Sequence, residues 1–257
     1  MVTLTEQRVP TGSSLLDAFL EGGYEQDAVT TIYGPAGAGK TTLALLAAIA
    51  TAERGKKTIF VDTEGGFSVA RLKQLAKNYK PILEKIIFLN PTTFQQQKRS
   101  IERLKSLVNQ KIGLIVVDTI SMLYRLERKI GNSSGNFNRE LGLQVAGLTE
   151  IARKKKIPVL LTNQVYSTFE REERLEQPLA WHGNHASGRR MAMVGGDILK
   201  YGSKCLIELQ IGHGGLRKAI LRKHRSIAGE RELLFEIVPE GLKAAVDKII
   251  PQQSLRG

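Results

Sequence analysis

Apolar residues recur along the chain in two alternating rhythms. Short β-branched and aromatic runs at 28–33, 58–62, 86–89, 114–118 and 159–163 predict strands, each bounded by polar or turn-forming residues. Between them, Ala- and Leu-rich or 3.6-periodic stretches at 41–52, 69–79, 93–109 and 137–155 predict helices. Pro81, Pro91 and Pro158 fall at the breaks, where a missing N–H does least harm. The alternation predicts an α/β fold, a mostly parallel sheet with helices on its faces. Upstream, Ser14 and Asp17 form a capping-box pattern for a short helix carrying Leu15, Leu16, Phe19 and Leu20, closed by Gly22 and Gly23. From Cys205 the rhythm becomes strand after strand, at 205–211, 216–222 and 233–238, which predicts antiparallel hairpins extending one edge. Two segments, 126–136 and 166–201, carry no period and read as long functional loops.

Between the strand at 28–33 and the helix at 41–52 lies GPAGAGKT, formed by Gly34, Pro35, Ala36, Gly37, Ala38, Gly39, Lys40 and Thr41, followed by Thr42. This is the phosphate-binding pattern G-x-x-x-x-G-K-[ST] in its required strand–loop–helix setting. Its glycines tolerate positive φ and let the backbone approach an oligophosphate closely, so successive N–H groups and the helix N-terminus can surround the anion. Lys40 then reaches the β- and γ-phosphates, and the Thr41 hydroxyl binds Mg²⁺. The expected ligands are ATP and Mg²⁺.

The 257 residues allow one large domain or two small ones, and 42% hydrophobic with 25% charged residues fits one soluble globular unit. The longest apolar stretch, 43–52, is too short to span a bilayer, and the N-terminus lacks the apolar core of a signal peptide. A cytoplasmic protein with no membrane partner is expected. The single Cys205 excludes an intramolecular disulfide, and its apolar neighbours predict a buried strand position. A formal net charge of +13 attracts polyanions, and a nucleic-acid backbone is the commonest of these, although solvated Lys and Arg faces give the same total.

Three strand ends add chemistry. The run Leu114-Ile115-Val116-Val117-Asp118 reads as a buried central strand presenting Asp118 to the Mg²⁺ water shell. The strand at 58–62 continues into Thr63-Glu64-Gly65-Gly66-Phe67, so Glu64 is either a base for the attacking water or part of an acidic turn. The strand at 159–163 delivers Gln164, long enough to sense a γ-phosphate, or simply a strand-end amide. Open parallel sheets bind ligands at these strand ends.

In fixed order, GPAGAGKT, VDTEGGF, LIVVDT, TNQV and MAMVGGDILKYGSK resemble the RecA/Rad51/RadA superfamily, and within it the archaeal RadB group of recombinase paralogues. The resemblance extends from Thr11-Gly12 through RKHRSIAGERELLFEIVPEGL. It implies one RecA-like P-loop ATPase core over 1–257, with a mostly parallel sheet, C-terminal antiparallel strands, a lead-in at 1–12 and a flexible tail at about 248–257. It also implies that Glu64 is the catalytic base, that Gln164 couples γ-phosphate to a DNA-binding loop, and that Arg71 stacks on adenine. Lys223 and Arg225 match a basic pair that reaches a neighbouring subunit's phosphate, or they form an ordinary solvated strand face.

The family's DNA-binding loops fall in the two long segments. One holds Arg128 and Lys129 among glycines; the other holds Trp181, His185, Arg189 and Arg190, aromatic faces among cations as single-strand binding requires. Glu170, Glu172, Glu173 and Glu176 repel phosphate, so contact is expected within 181–190. An N-terminal helix-hairpin-helix domain and a clear F-x-x-A polymerisation tether are not found.

The resemblance therefore implies an ATP- and DNA-binding paralogue that assists homologous recombination and repair with weak hydrolysis, modulating the main recombinase. Its implied partners are DNA, single-stranded rather than duplex alone, a RadA-type recombinase or a Holliday-junction nuclease, and a further copy of itself. A fully active strand-exchange ATPase and a KaiC-like regulator that binds protein rather than DNA are the alternatives.

Overall fold

A computed structural model describes residues 7–130, 134–169, 189–228 and 230–245. Strand β1 (Arg8–Val9), helix α1 (Ser14–Phe19) and strand β2 (Tyr24–Glu25) lead into β3 (Val29–Gly34) and α2 (Lys40–Glu53). Next come β4 (Lys57–Asp62), α3 (Val69–Leu75), α4 (Tyr79–Leu83), β5 (Ile86–Leu89), α5 (Phe94–Leu107) and β6 (Ile112–Asp118). Helices α6 (Met122–Ile130) and α7 (Ser134–Lys155) precede β7 (Val159–Phe169), β8 (Arg189–Met193) and α8 (Gly196–Gly202). The chain then forms β9 (Cys205–Ile211), β10 (Leu216–Lys223), β11 (Arg231–Val238) and β12 (Gly241–Ala244).

The main sheet runs β12-β11-β10-β9-β3-β7-β6-β4-β5, with β8 paired to β7. Strands β9, β3, β7, β6, β4 and β5 are mutually parallel, and β10, β11 and β12 continue antiparallel from β9. The fold class is therefore the one expected: a large, mostly parallel sheet with helices on both faces and antiparallel C-terminal strands. The detail at Cys205 differs from the hairpin reading, because β9 joins the parallel set beside β3 and only then turns back into β10. Cys205 is buried there beside Thr30.

Helix α2 is apolar on nearly every side, and Leu43 to Ala52 are all buried between the sheet and the α3–α4 layer. Each of its leucines contributes about 1.5–3 kcal/mol of burial, so the helix that starts at Lys40 is held as firmly as the strand before it. The other face carries α5, α6 and α7 over Ile59, Ile115, Val117 and Leu161.

Several local expectations are corrected. Ser13, not Ser14, caps α1, and its side chain makes no cap bond; Asp17 instead accepts from the Thr11 N–H at 2.7 Å. The helix expected at 69–79 breaks at Ala76 into α3 and α4, with Pro81 inside the first turn of α4, where its missing N–H costs no helical bond. The loop expected at 126–136 is helical at both ends, since α6 runs to Ile130 and α7 begins at Ser134. The ends of the segment 166–201 are likewise regular, as β7, β8 and α8.

Candidate nucleotide site

Four parallel strands end side by side at one edge of the sheet. Gly34 on β3 is in register with Gln164 on β7, and Asp62 on β4 with Asp118 on β6. The phosphate-loop motif thus lies next to the two acidic strand ends and the glutamine.

The loop's geometry follows from its glycines. Gly37 and Gly39 sit at φ 75° and 104°, in the left-handed region that a side chain resists. A Cβ at Gly34 would lie 2.4 Å from the Leu209 carbonyl oxygen, so the loop can leave β3 against β9 only as glycine. Nothing lies within 4 Å of a Cβ at Gly37, which is exposed at the open side of the loop. Arg217 of β10 donates to the Gly37 carbonyl at 3.3 Å.

Lys40 is buried and folds back on the loop, its Nζ donating to the carbonyls of Gly34 at 3.0 Å and Pro35 at 2.8 Å. Burial lowers its pKa, opposed by Asp118 and Glu64. Thr41 Oγ1 donates to Asp118 Oδ2 at 2.8 Å, and Thr162 Oγ1 donates to Asp118 Oδ1. Burial pushes the Asp118 carboxyl above the usual carboxylate range, a charge deficit that a bound cation would reverse. A Cβ at Gly66 would lie 3.8 Å from both Thr41 Oγ1 and Asp118 Oδ2, so the backbone there leaves room beside them. A buried cation, a glycine loop at a helix N-terminus and a hydroxyl–carboxylate pair are a set that fits a Mg²⁺–triphosphate.

Asp62 shapes the next loop. Its Oδ1 accepts from the N–H groups of Glu64 at 3.2 Å and Gly66 at 3.1 Å, and its Oδ2 from Phe67 N–H at 3.1 Å. Thr63 Oγ1 donates to the Thr119 carbonyl at 2.7 Å and accepts the Thr119 N–H at 2.9 Å, joining the ends of β4 and β6. So aimed, Glu64 is exposed to solvent, and its Oε1 accepts from Thr119 Oγ1 at 3.0 Å and Gln164 Nε2 at 2.7 Å. Arg125 of α6 donates to Gln164 Oε1 at 3.4 Å. Glu64, Met122, Arg125, Leu126 and Gln164 line a cavity of about 380 Å³.

Arg71 on α3 donates to the carbonyls of Val238 at 2.9 Å and Pro239 at 3.2 Å, which puts it at the turn between β11 and β12. Ile237 of the same β11 lies against Gly39.

This chain matches the Rad51 family model over residues 5–245. The chain belongs to the Rad51 family. Three relatives named DNA repair and recombination protein RadB place it in the RadB group. Those of Methanobrevibacter smithii and Methanothermobacter thermautotrophicus are 35% and 36% identical, covering 91% and 92% of this chain and 95% of their own. That of Methanococcus maripaludis is 38% identical over 89% of this chain and 97% of its own. A crystal structure described as the RadB recombinase superposes with a TM-score of 0.73 at 36% identity, covering 92% of this chain and 99% of that one. Rad51-family proteins are ATPases that use ATP with Mg²⁺.

The Rad51-family residues expected at the nucleotide converge: Lys40, Thr41, Glu64, Asp118 and Gln164 all meet at one sheet edge. The remaining candidates lie elsewhere. Arg128 is exposed on α6, donating to Tyr124 OH at 3.3 Å, and Lys129 follows it on the same helix. Arg189 and Arg190 are paired across β8 with Phe169 and Thr168, while Trp181 and His185 fall outside the described residues. Lys223 and Arg225 lie at the opposite edge of the sheet, where Lys223 donates to the Lys200 carbonyl at 2.6 Å and Arg225 pairs with Glu25 at 2.9 Å and Asp27 at 2.6 Å. Asp62, Thr63, Thr119, Thr162, Arg125 and Arg217 escaped the sequence reading. Only the polar ends of the strands hinted at the first four.

Proposed function

We propose that this chain is an ATP- and DNA-binding member of the RadB group that assists homologous recombination and repair, hydrolysing ATP weakly and acting on the main recombinase. The observation that carries the reading is the hydrogen-bonded convergence of Thr41 with Asp118 and of Glu64 with Gln164 beside the glycine loop. The loop amides and Lys40 bind the β- and γ-phosphates, and Arg71 with the β11–β12 turn borders the base. Thr41 and Asp118 hold Mg²⁺, which withdraws charge from the phosphate oxygens when bound. Glu64 orients a water and takes its proton as oxygen bonds to the γ-phosphorus and the bond to the β-phosphate oxygen breaks, the electron pair leaving with ADP. Capping of Glu64 by Gln164 and Thr119 supports slow turnover.

The DNA half rests on the net charge of +13, on Arg128 and Lys129 in α6, the helix whose Arg125 lines the cavity with Glu64, and on the repair and recombination role that the relatives' names carry. Residues 1–257 act as one RecA-like core in the cytoplasm, and Lys223 and Arg225 reach a neighbouring subunit only by giving up their bonds to Lys200, Glu25 and Asp27.

Steady-state ATP hydrolysis with and without single-stranded DNA, with Lys40→Ala as the contamination control, tests this reading alongside a salt titration of DNA binding. Slow hydrolysis with salt-sensitive DNA binding is expected; no ATP binding, or no DNA affinity even at low ionic strength, overturns the corresponding half.

A further inference from the structure

The amide of Gln164 has two ends, and the structure engages both. Its NH₂ faces Glu64 and its carbonyl oxygen faces Arg125. An amide whose oxygen accepts from a guanidinium has one favoured orientation, because the flipped amide would set its NH₂ against a cation and its oxygen against a carboxylate. Glu64 at 2.7 Å and Arg125 at 3.4 Å therefore favour the same orientation of Gln164, one from each end of the amide. In this arrangement one N–H of the Gln164 amide is spent on Glu64 and its nitrogen is held at the carboxylate, and one oxygen of Glu64 is occupied twice, by Gln164 and by Thr119.

The three residues come from three elements packed around one cavity. The segment after β6 is tied to β7 by the Ile120 N–H donating to the Thr162 carbonyl at 3.1 Å. Helix α6 follows directly, and Arg125 N–H donates to the Ser121 carbonyl at 3.0 Å. Arg128 stands three residues further on, so the two cations share one side of α6. Behind Gln164, Val194 N–H donates to its backbone carbonyl at 3.1 Å and Asn163 Nδ2 donates to the Val194 carbonyl at 2.9 Å. The backbone of Gln164 is fixed, which leaves its side chain as the movable part.

We propose that Arg125 is a positioning residue that holds the active site at rest: it pins Gln164 onto Glu64, and a polyanion drawn to α6 takes the guanidinium and releases both. Freed, Gln164 turns to the γ-phosphate and Glu64 to the attacking water. The inference rests on the functional reading above, since the released state is the hydrolytic one. It makes the cationic helix a brake on hydrolysis as well as a nucleic-acid contact.

The test compares wild type, Arg125→Ala and Arg125→Lys for ATP turnover without DNA and with a poly-dT oligonucleotide, with KM for ATP and melting temperature measured on each. Arg125→Ala is expected to raise DNA-free kcat about three- to tenfold, leave KM for ATP within twofold, and lose further stimulation by DNA. Arg125→Lys keeps a donor to the amide oxygen and falls between. A wild type that ignores DNA while Arg125→Ala still runs faster supports the brake and removes the DNA-responsive part of the functional reading. Unchanged or lower DNA-free kcat in a folded Arg125→Ala overturns the proposal. If that variant melts below the assay temperature, Arg125→Lys decides: a DNA-free kcat equal to or below wild type rejects the brake.

Discussion

Thr41 Oγ1 donates to Asp118 Oδ2 at 2.8 Å, so the first turn of α2 and the last residue of β6 share a hydrogen bond across 77 residues of sequence. The bond makes a cation site out of two elements that the sheet brings together, and it is formed at a carboxyl that burial keeps above its usual pKa. The native state therefore binds a proton more readily than the unfolded chain, and this group costs stability as pH rises through and beyond the ordinary carboxylate range.

Asp118→Asn should accordingly stabilise the nucleotide-free protein at pH 7. The gain would appear as a higher melting temperature than that of the wild type. The difference should close as pH falls below the ordinary carboxylate pKa, where Asp118 is protonated in both states. The same variant should lose the extra stabilisation that Mg²⁺ adds to ATP. Melting curves at pH 4 and pH 7, with and without Mg²⁺–ATP, check all three points.

Glu64→Gln should abolish hydrolysis while ATP binding stays within about threefold, because the substitution removes a base and leaves the phosphate loop untouched. Lys40→Ala should instead weaken ATP binding by at least about tenfold, the loss of a charge-assisted contact worth at least ~1.4 kcal/mol. Titration with a fluorescent ATP analogue and single-turnover hydrolysis separate the two effects.

The phosphate loop offers a contrast between space and conformation. Gly37→Ala meets open space but must hold φ near 75°, which costs about 1–2 kcal/mol. Gly34→Ala has an ordinary φ but drives its Cβ to 2.4 Å from the Leu209 carbonyl oxygen, forcing β3 and β9 apart. Urea midpoints should rank wild type, Gly37→Ala and Gly34→Ala in falling order.

Arg225→Ala should destabilise the monomer by on the order of 3 kcal/mol, because it removes a cation from Glu25, whose side chain is 1% exposed. Arg225, with Lys156 behind it, also holds the Asp27 carboxyl below its ordinary pKa, so that contribution is complete above the unfolded pKa and fades as pH falls through the depressed one. Substitution should flatten the acid side of the stability–pH curve. An unchanged melting temperature between pH 3 and pH 7 would reduce Arg225 to a surface residue available only to a neighbouring subunit.

Much of this was legible in the chain itself. The parallel core shows in five apolar runs because buried strands need continuous β-branched sequence, and Lys40 and Thr41 are named by a loop whose glycine spacing is a steric requirement. Strands β1, β2 and β12 were missed because two to four residues carry no period. Helix α6 was read as loop from residue 126 onward because Glu127, Arg128 and Lys129 follow Leu126, and the glycines beyond suggested irregular chain. Arg125 had no signal at all: its partner lies 39 residues away, and only the adjacency of β6 and β7 makes them meet. Asp62 was visible as a strand end, while its task of gathering three N–H groups belongs to the turn it creates.

The pairing of β7 with β8 has a consequence for how the molecule can vary. Phe169 and Arg189 face each other in register, and Val165 faces Met193 beside Gln164. Gln164 stands where β7 passes from its parallel partner β3 to its antiparallel partner β8, so a substitution on either partner near that junction reaches the nucleotide site.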